Sequence, residues 1–94
     1  MGKPTLQIYT RSICGDCQSL KKFLRENGIS FQLFELDNNP NKEREMIALT
    51  GNKIVPTLVF KTSKFFKTKQ EVLIGFEQNK ERIKELLNIQ ETAV

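Results

Sequence analysis

Histidine and tryptophan are absent from these 94 residues, and cysteine occurs only twice. A zinc site wants about four ligands, most often Cys and His. Two cysteines without a histidine leave room only for a metal shared between chains or completed by outside thiols. No apolar run approaches the ~20 residues of a bilayer-spanning helix. The opening MGKPTLQIYT lacks the apolar stretch of a secretory signal, and it puts Leu6 where myristoylation asks for Ser or Thr. A cytoplasmic chain without membrane attachment is therefore expected, in a compartment where structural disulfides are rare. Repeats, linkers and low-complexity segments are missing as well. Residues 1–94 read as one small domain, and 38% hydrophobic with 28% charged residues is a globular balance.

The net charge of +4 is local. Lys61, Lys64, Lys67 and Lys69 lie within Lys61–Gln70, a stretch without an acid, and the remainder of the chain holds 11 basic against 11 acidic residues. Two readings fit that stretch. One is a docking patch for an acidic protein surface or for nucleic acid, with Phe65 and Phe66 exposed. The other, which we favour, is an extended hairpin whose lysines keep an edge strand soluble and whose phenylalanines cover the core. One patch on a balanced body is weak support for nucleic acid.

Periodicity places the elements. Thr5–Thr10 alternates and reads as a strand. From Cys17 onward Leu20, Phe23 and Leu24 recur at helical spacing, and Asn27-Gly28 supplies a stop. Ile29–Leu36 reads as a second strand. A second helix follows, with Asn39 as N-cap, Pro40 at the first position and Gly51 at the end, turning Met46, Ile47 and Leu49 to the core. Ile54–Phe60 is an apolar, β-branched buried strand with a proline near its entrance. Glu71–Phe76 is a fourth strand, and a last helix carries Ile83, Leu86 and Leu87 on one stripe before a polar tail after Ile89. The order β-α-β-α-β-β-α predicts an α/β fold. The first two strands should be parallel through a right-handed crossover, and the last two should form an antiparallel hairpin. The result is a four-stranded mixed sheet flanked by three helices.

Cys14 and Cys17 sit where the first strand gives way to the first helix. Three readings compete: a shared metal site, a structural staple, and a working dithiol. A disulfide closing so short a loop removes little unfolded-chain entropy. The position after a strand in a βαβ context favours the dithiol. Free N–H groups and the helix dipole stabilise a thiolate on Cys14, and Cys17, one turn on, is placed to resolve a mixed disulfide. Arg11, Lys21 and Lys22 favour the thiolate. Asp16 opposes it, although an acid in the first turn also simply complements the dipole. Gly15 is expected to permit a tight entry into the helix.

These motifs, YTRSICGDC, IVPT and IGF before the last helix, together resemble the glutaredoxins of the thioredoxin-fold superfamily, from about Leu6 to Leu87. The resemblance implies a thioredoxin fold and a monomeric thiol-disulfide oxidoreductase with no tightly bound cofactor or metal. Its substrates would be disulfide-containing proteins or glutathione mixed disulfides, with glutathione as a possible co-substrate. It implies a cis bond before Pro56 and β-strand-like pairing of substrate peptide or glutathione with Val55. Arg11 stands where the family usually has a lysine meeting a glutathione carboxylate; a solvated surface cation is the other reading. Gly75, Phe76 and Gln78 fall in the family's glutathione-binding stretch. There the chain departs from the pattern: Phe76 replaces a second glycine, and Gln78 and Asn79 replace two acids. The Gly75-Phe76 pair is similar to a second branch, the glutaredoxin-like electron donors of ribonucleotide reductase recharged by thioredoxin reductase. A dimer holding an iron–sulfur cluster through Cys14 and external thiols is a further alternative.

Overall fold

The structure is a computed structural model and describes residues 5–64 and 67–88. In chain order it runs β1 (Thr5–Thr10), α1 (Gly15–Glu26), β2 (Gln32–Glu35), α2 (Pro40–Thr50), β3 (Thr57–Lys64), β4 (Lys67–Ile74), a 3-10 turn (Glu77–Asn79) and α3 (Lys80–Leu87). The strands form one sheet in the order β2-β1-β3-β4. β1 pairs parallel with β2 and antiparallel with β3, and β3 pairs antiparallel with β4. This is the four-stranded mixed sheet with three helices that the sequence order implies.

Strand alternation divides the core in two, because successive side chains leave opposite faces of a sheet. Leu6, Ile8, Leu58 and Phe60 point to one face and pack with Leu20 and Leu24 of α1, Ile83 of α3, and Phe76. Tyr9 and Val59 point to the other, where they meet Met46 of α2 and Leu36. The helices bury the matching stripes. In α1 the buried positions are Cys17, Leu20, Lys21 and Leu24, an i, i+3, i+4, i+7 set. In α3 Ile83 is buried, and Leu86 and Leu87 pack against the same cluster.

The helix ends follow their local chemistry. Asn39 caps α2 with its side-chain oxygen accepting the Lys42 N–H, Pro40 occupies the first turn, and Gly51 closes the helix at φ 78°. α1 starts earlier than its hydrophobic period: Cys14, in extended conformation, is its N-cap, and Asn27 and Gly28 end it.

Several boundaries differ from the sequence reading. β2 is shorter than Ile29–Leu36, because the Ile29 N–H is spent on the Leu24 carbonyl at 2.9 Å in closing α1, and Ile29 and Phe31 pack on the core cluster instead. Leu49 of α2 does not face the core; it lies at the flank of the stripe centred on Met46 and is exposed. β3 starts at Thr57, not Ile54, since Pro56 has no N–H to give a ladder. It also runs on to Lys64, and β4 takes up pairing at Lys67, with Lys61 opposite Gln70 and Thr62 opposite Lys69. The lysine-rich connection is therefore itself sheet, an extended hairpin on the edge strand, with Thr68, Lys69 and Gln70 exposed. Phe65 and Phe66, expected to cover the core or to dock a partner, lie outside the described residues. β4 ends at Ile74, leaving Gly75 and Phe76 to turn the chain into α3.

Candidate active site

Three segments converge on the cysteines: the N-terminus of α1, the loop before β3, and the turn after β4. Cys14 and Cys17 are joined as a disulfide with their α-carbons 5.2 Å apart. Their environments differ. Cys17 is fully buried in the inward stripe of α1, whereas Cys14 is half-buried at the helix tip. The Cys17 N–H donates to Cys14 Sγ at 3.1 Å, so the sulfur takes the place that a Ser or Asp oxygen fills at an ordinary N-cap. That donor, together with the helix dipole, favours negative charge on Cys14 once the disulfide opens.

The loop before β3 supplies the opposite wall. The Val55–Pro56 peptide bond is cis, as the family resemblance implies. Cys14 Sγ lies 3.9 Å from the Val55 carbonyl oxygen. The Pro56 carbonyl in turn accepts the Gly75 N–H at 2.8 Å, tying this loop to the turn after β4. On the two segments beside the sulfur, Ile13 is 95% exposed and Ile54 54% exposed.

The turn after β4 is built on Gly75 and Phe76. Gly75 has φ 93°, a conformation that L side chains rarely adopt, and a β-carbon there would come within 2.7 Å of Gln78 Nε2. Phe76 is buried and packs on Phe23 of α1, ring centroids 5.4 Å apart. Gln78 folds back so that its amide donates to the Ile74 carbonyl, and Asn79 donates to Ile74 and Gly75 carbonyls at 2.7 and 3.0 Å.

A link across this site escaped the sequence reading. The Asp16 carboxylate, between the two cysteines, accepts the Phe76 N–H at 2.7 Å and the Glu77 N–H at 3.3 Å. Sequence analysis sees Asp16 as a first-turn acid, which it is. Its partners lie 60 and 61 residues away, where no local pattern reaches.

Arg11 is likewise engaged, pairing with Glu43 of α2 and, at 3.8 Å, with Asp37. Asp37 also accepts the Ser12 N–H at 3.0 Å and the Ser12 hydroxyl. The Ser12 hydroxyl and N–H, and then the Arg11 charge, hold its carboxyl below the usual carboxylate range. The expected need for glycine at the helix entry is not met: Gly15 has no positive φ, and a β-carbon there would meet nothing within 4 Å.

The Glutaredoxin family model matches residues 6–65, a segment running from β1 through α1, both sides of the disulfide and the cis-proline loop to the end of β3. This chain belongs to the glutaredoxin family. Among curated glutaredoxins, Glutaredoxin 3 of Escherichia coli K12 is 38% identical over 53 residues, covering 56% of this chain and 64% of that protein. The aligned segment thus spans less than two thirds of that glutaredoxin's length. Solved structures agree on the fold. The thioredoxin-like protein BC3987 superposes with TM-score 0.68 at 23% identity, over 88% of this chain and all of that one. A glutaredoxin from Archaeoglobus fulgidus gives 0.64 at 23%, over 90% and 87% of the two chains. A buckwheat glutaredoxin, solved as a glutathione complex, gives 0.62 at 21%, over 90% and 77%.

Proposed function

We propose that this glutaredoxin-family chain is a cytoplasmic, monomeric thiol-disulfide oxidoreductase acting on protein disulfides, with Cys14 as nucleophile and Cys17 as resolving thiol. The observation that carries the reading is the asymmetry of the pair. Cys14 is the sulfur within reach of solvent and takes an N–H donor, while Cys17 is fully buried beneath it. An attacking thiolate needs access and charge stabilisation; a resolving thiol needs only its neighbour.

The cycle balances with the two sulfurs alone. In the reduced protein, Cys14 thiolate attacks one sulfur of a substrate disulfide. A Cys14–substrate disulfide forms and the other substrate sulfur leaves as a thiolate. Cys17 then loses its proton and attacks Cys14 Sγ, releasing the second substrate thiolate and closing Cys14–Cys17. The substrate gains two electrons and, from solvent, two protons. Val55 offers its backbone to an extended substrate segment, flanked by Ile13 and Ile54.

Glutathione is a candidate co-substrate, since the family includes the buckwheat protein solved in complex with it. Arg11, Gly75, Phe76 and Gln78 would be its neighbours. Thioredoxin reductase is the alternative source of electrons. A cluster-bridged dimer is a third reading, and no observation favours it.

Cys14→Ser should abolish disulfide reductase activity, and Cys17→Ser should accumulate a one-to-one mixed disulfide visible by intact mass. Full activity in Cys14→Ser would overturn the assignment.

A further inference from the structure

We propose that Asp16 is a specificity-determining residue, a built-in carboxylate that makes anionic thiols poor reductants of the Cys14–Cys17 disulfide. The proposal rests on reading that pair as a working dithiol. A small anionic thiol such as glutathione must bring its carboxylates to the same surface as its sulfur. To gain affinity there it needs cations or unspent N–H groups.

The donors next to Asp16 and on the β1 side of the site are already engaged. The two successive N–H groups that turn toward the cysteines, Phe76 and Glu77, converge on Asp16. The guanidinium of Arg11, on the approach from β1, is shared between Glu43 and Asp37. The seat lies close to the reacting sulfur by a continuous route: Gly75 N–H to the Pro56 carbonyl, then Val55, whose carbonyl is 3.9 Å from Cys14 Sγ. An incoming carboxylate at this seat therefore meets a fixed like charge, two backbone N–H groups and a guanidinium that are already engaged.

A neutral dithiol has no carboxylates to place and is not penalised. Reduction itself is conventional thiol exchange. One thiolate attacks Cys14 Sγ and expels Cys17 thiolate, and a second thiol attacks the external sulfur and expels Cys14 thiolate. Two electrons enter the pair, leaving oxidised glutathione or cyclic dithiothreitol. The Asp16 effect falls on the first step, when the anionic thiol enters, and on the mixed disulfide that follows.

The test measures reduction of the oxidised protein by glutathione and by dithiothreitol, taking the ratio of the two rates. Using a ratio cancels any change in the intrinsic reactivity of the disulfide. Asp16→Ala removes the charge and frees two N–H groups. It should raise the glutathione-to-dithiothreitol ratio at least about tenfold, the worth of a charge-assisted hydrogen bond. Asp16→Asn keeps an acceptor for the Phe76 N–H and guards against collapse of the turn. Loss of the charge alone should raise its ratio about threefold, as for unit charges several ångströms apart near water. Added salt should raise the ratio more, or lower it less, in the unsubstituted protein than in Asp16→Asn, because screening relieves the Asp16 repulsion only where that charge is present, while the net charge of +4 is screened in both. An unchanged ratio in both variants, or the same salt dependence in the unsubstituted protein and Asp16→Asn, overturns the proposal. If dithiothreitol itself fails to open Cys14–Cys17, the dithiol reading fails instead.

Discussion

Replacing Gly75 by alanine tests whether backbone freedom at the turn after β4 holds the site together. At φ 93° a side chain strains the backbone whatever the space around it, and residues held in such regions cost about 1–3 kcal/mol. The new β-carbon would also meet the Gln78 amide at 2.7 Å. Gln78 can swing away, but it gives up its bond to the Ile74 carbonyl, which contributes about 0.5–1.5 kcal/mol. Gly75→Ala should therefore destabilise the oxidised protein by about 2–4 kcal/mol. Urea unfolding followed by far-ultraviolet circular dichroism reads this directly. With a slope near 1 kcal/mol/M, the midpoint falls by roughly 2 M or more without a change in slope. Gln78→Ala separates the two causes. On its own it should cost no more than about 1 kcal/mol, because the side chain is exposed. In that background Gly75→Ala should still cost about 1–3 kcal/mol, the strain alone. If the cost there drops below about 0.5 kcal/mol, contact with Gln78 and not backbone conformation is the reason for glycine, and the argument fails.

Gly15→Ala, on the other side of the disulfide, should change stability by less than about 0.5 kcal/mol by the same urea assay, since its β-carbon enters open space. Asn39→Ala removes the side-chain acceptor of the Lys42 N–H and should cost about 1 kcal/mol by thermal melting. Tyr9, the sole tyrosine, is pushed up to about 12 from 10.0 by burial and then by the Glu45 carboxylate it donates to. A raised acid keeps its proton longer folded than unfolded. Its stabilisation is thus whole below pH 10 and is lost as pH climbs toward 12. Phenolate absorbance should accordingly show a midpoint near 12 in the folded protein, and a midpoint at 10 would contradict the burial argument.

What the sequence reveals and what it hides follow from the range of the forces involved. Strand alternation in Thr5–Thr10 and the i, i+3, i+4 stripes of α1 and α3 are local patterns with one buried solution, so both faces of the sheet could be anticipated. The caps at Asn39 and Gly51 are likewise a matter of a few adjacent residues. The β3–β4 hairpin, with lysines on its edge strand, could be anticipated too, but its strand ends could not: an edge strand needs no apolar alternation, so the charges of Lys61–Lys64 and Lys67–Gln70 look like loop. The contacts of Asp16, Arg11 and Asp37 were hidden for another reason. A carboxylate's partner is chosen by the fold, and nothing within a helical turn of Asp16 announces Phe76 and Glu77. The cysteine pair and the cis-proline loop can be read from CGDC and IVPT; the partners of Asp16 and Arg11 appear only in three dimensions.

The strand order β2-β1-β3-β4 puts β1, which is made before the other three, in the interior of the sheet. β1 finds β2 after about one helix, but its other edge waits for β3, with Thr5 paired to Lys61. During synthesis at about 5–20 residues per second, that edge stays open for several seconds. Throughout that interval Cys14 and Cys17 are already out, without the Val55–Pro56 wall or the Phe76 turn that later enclose them. The nascent chain thus exposes both cysteines before the segments that flank them exist. A chain shortened before β3 would offer both an unpaired strand edge and an unguarded thiol pair, two separate routes to unwanted association.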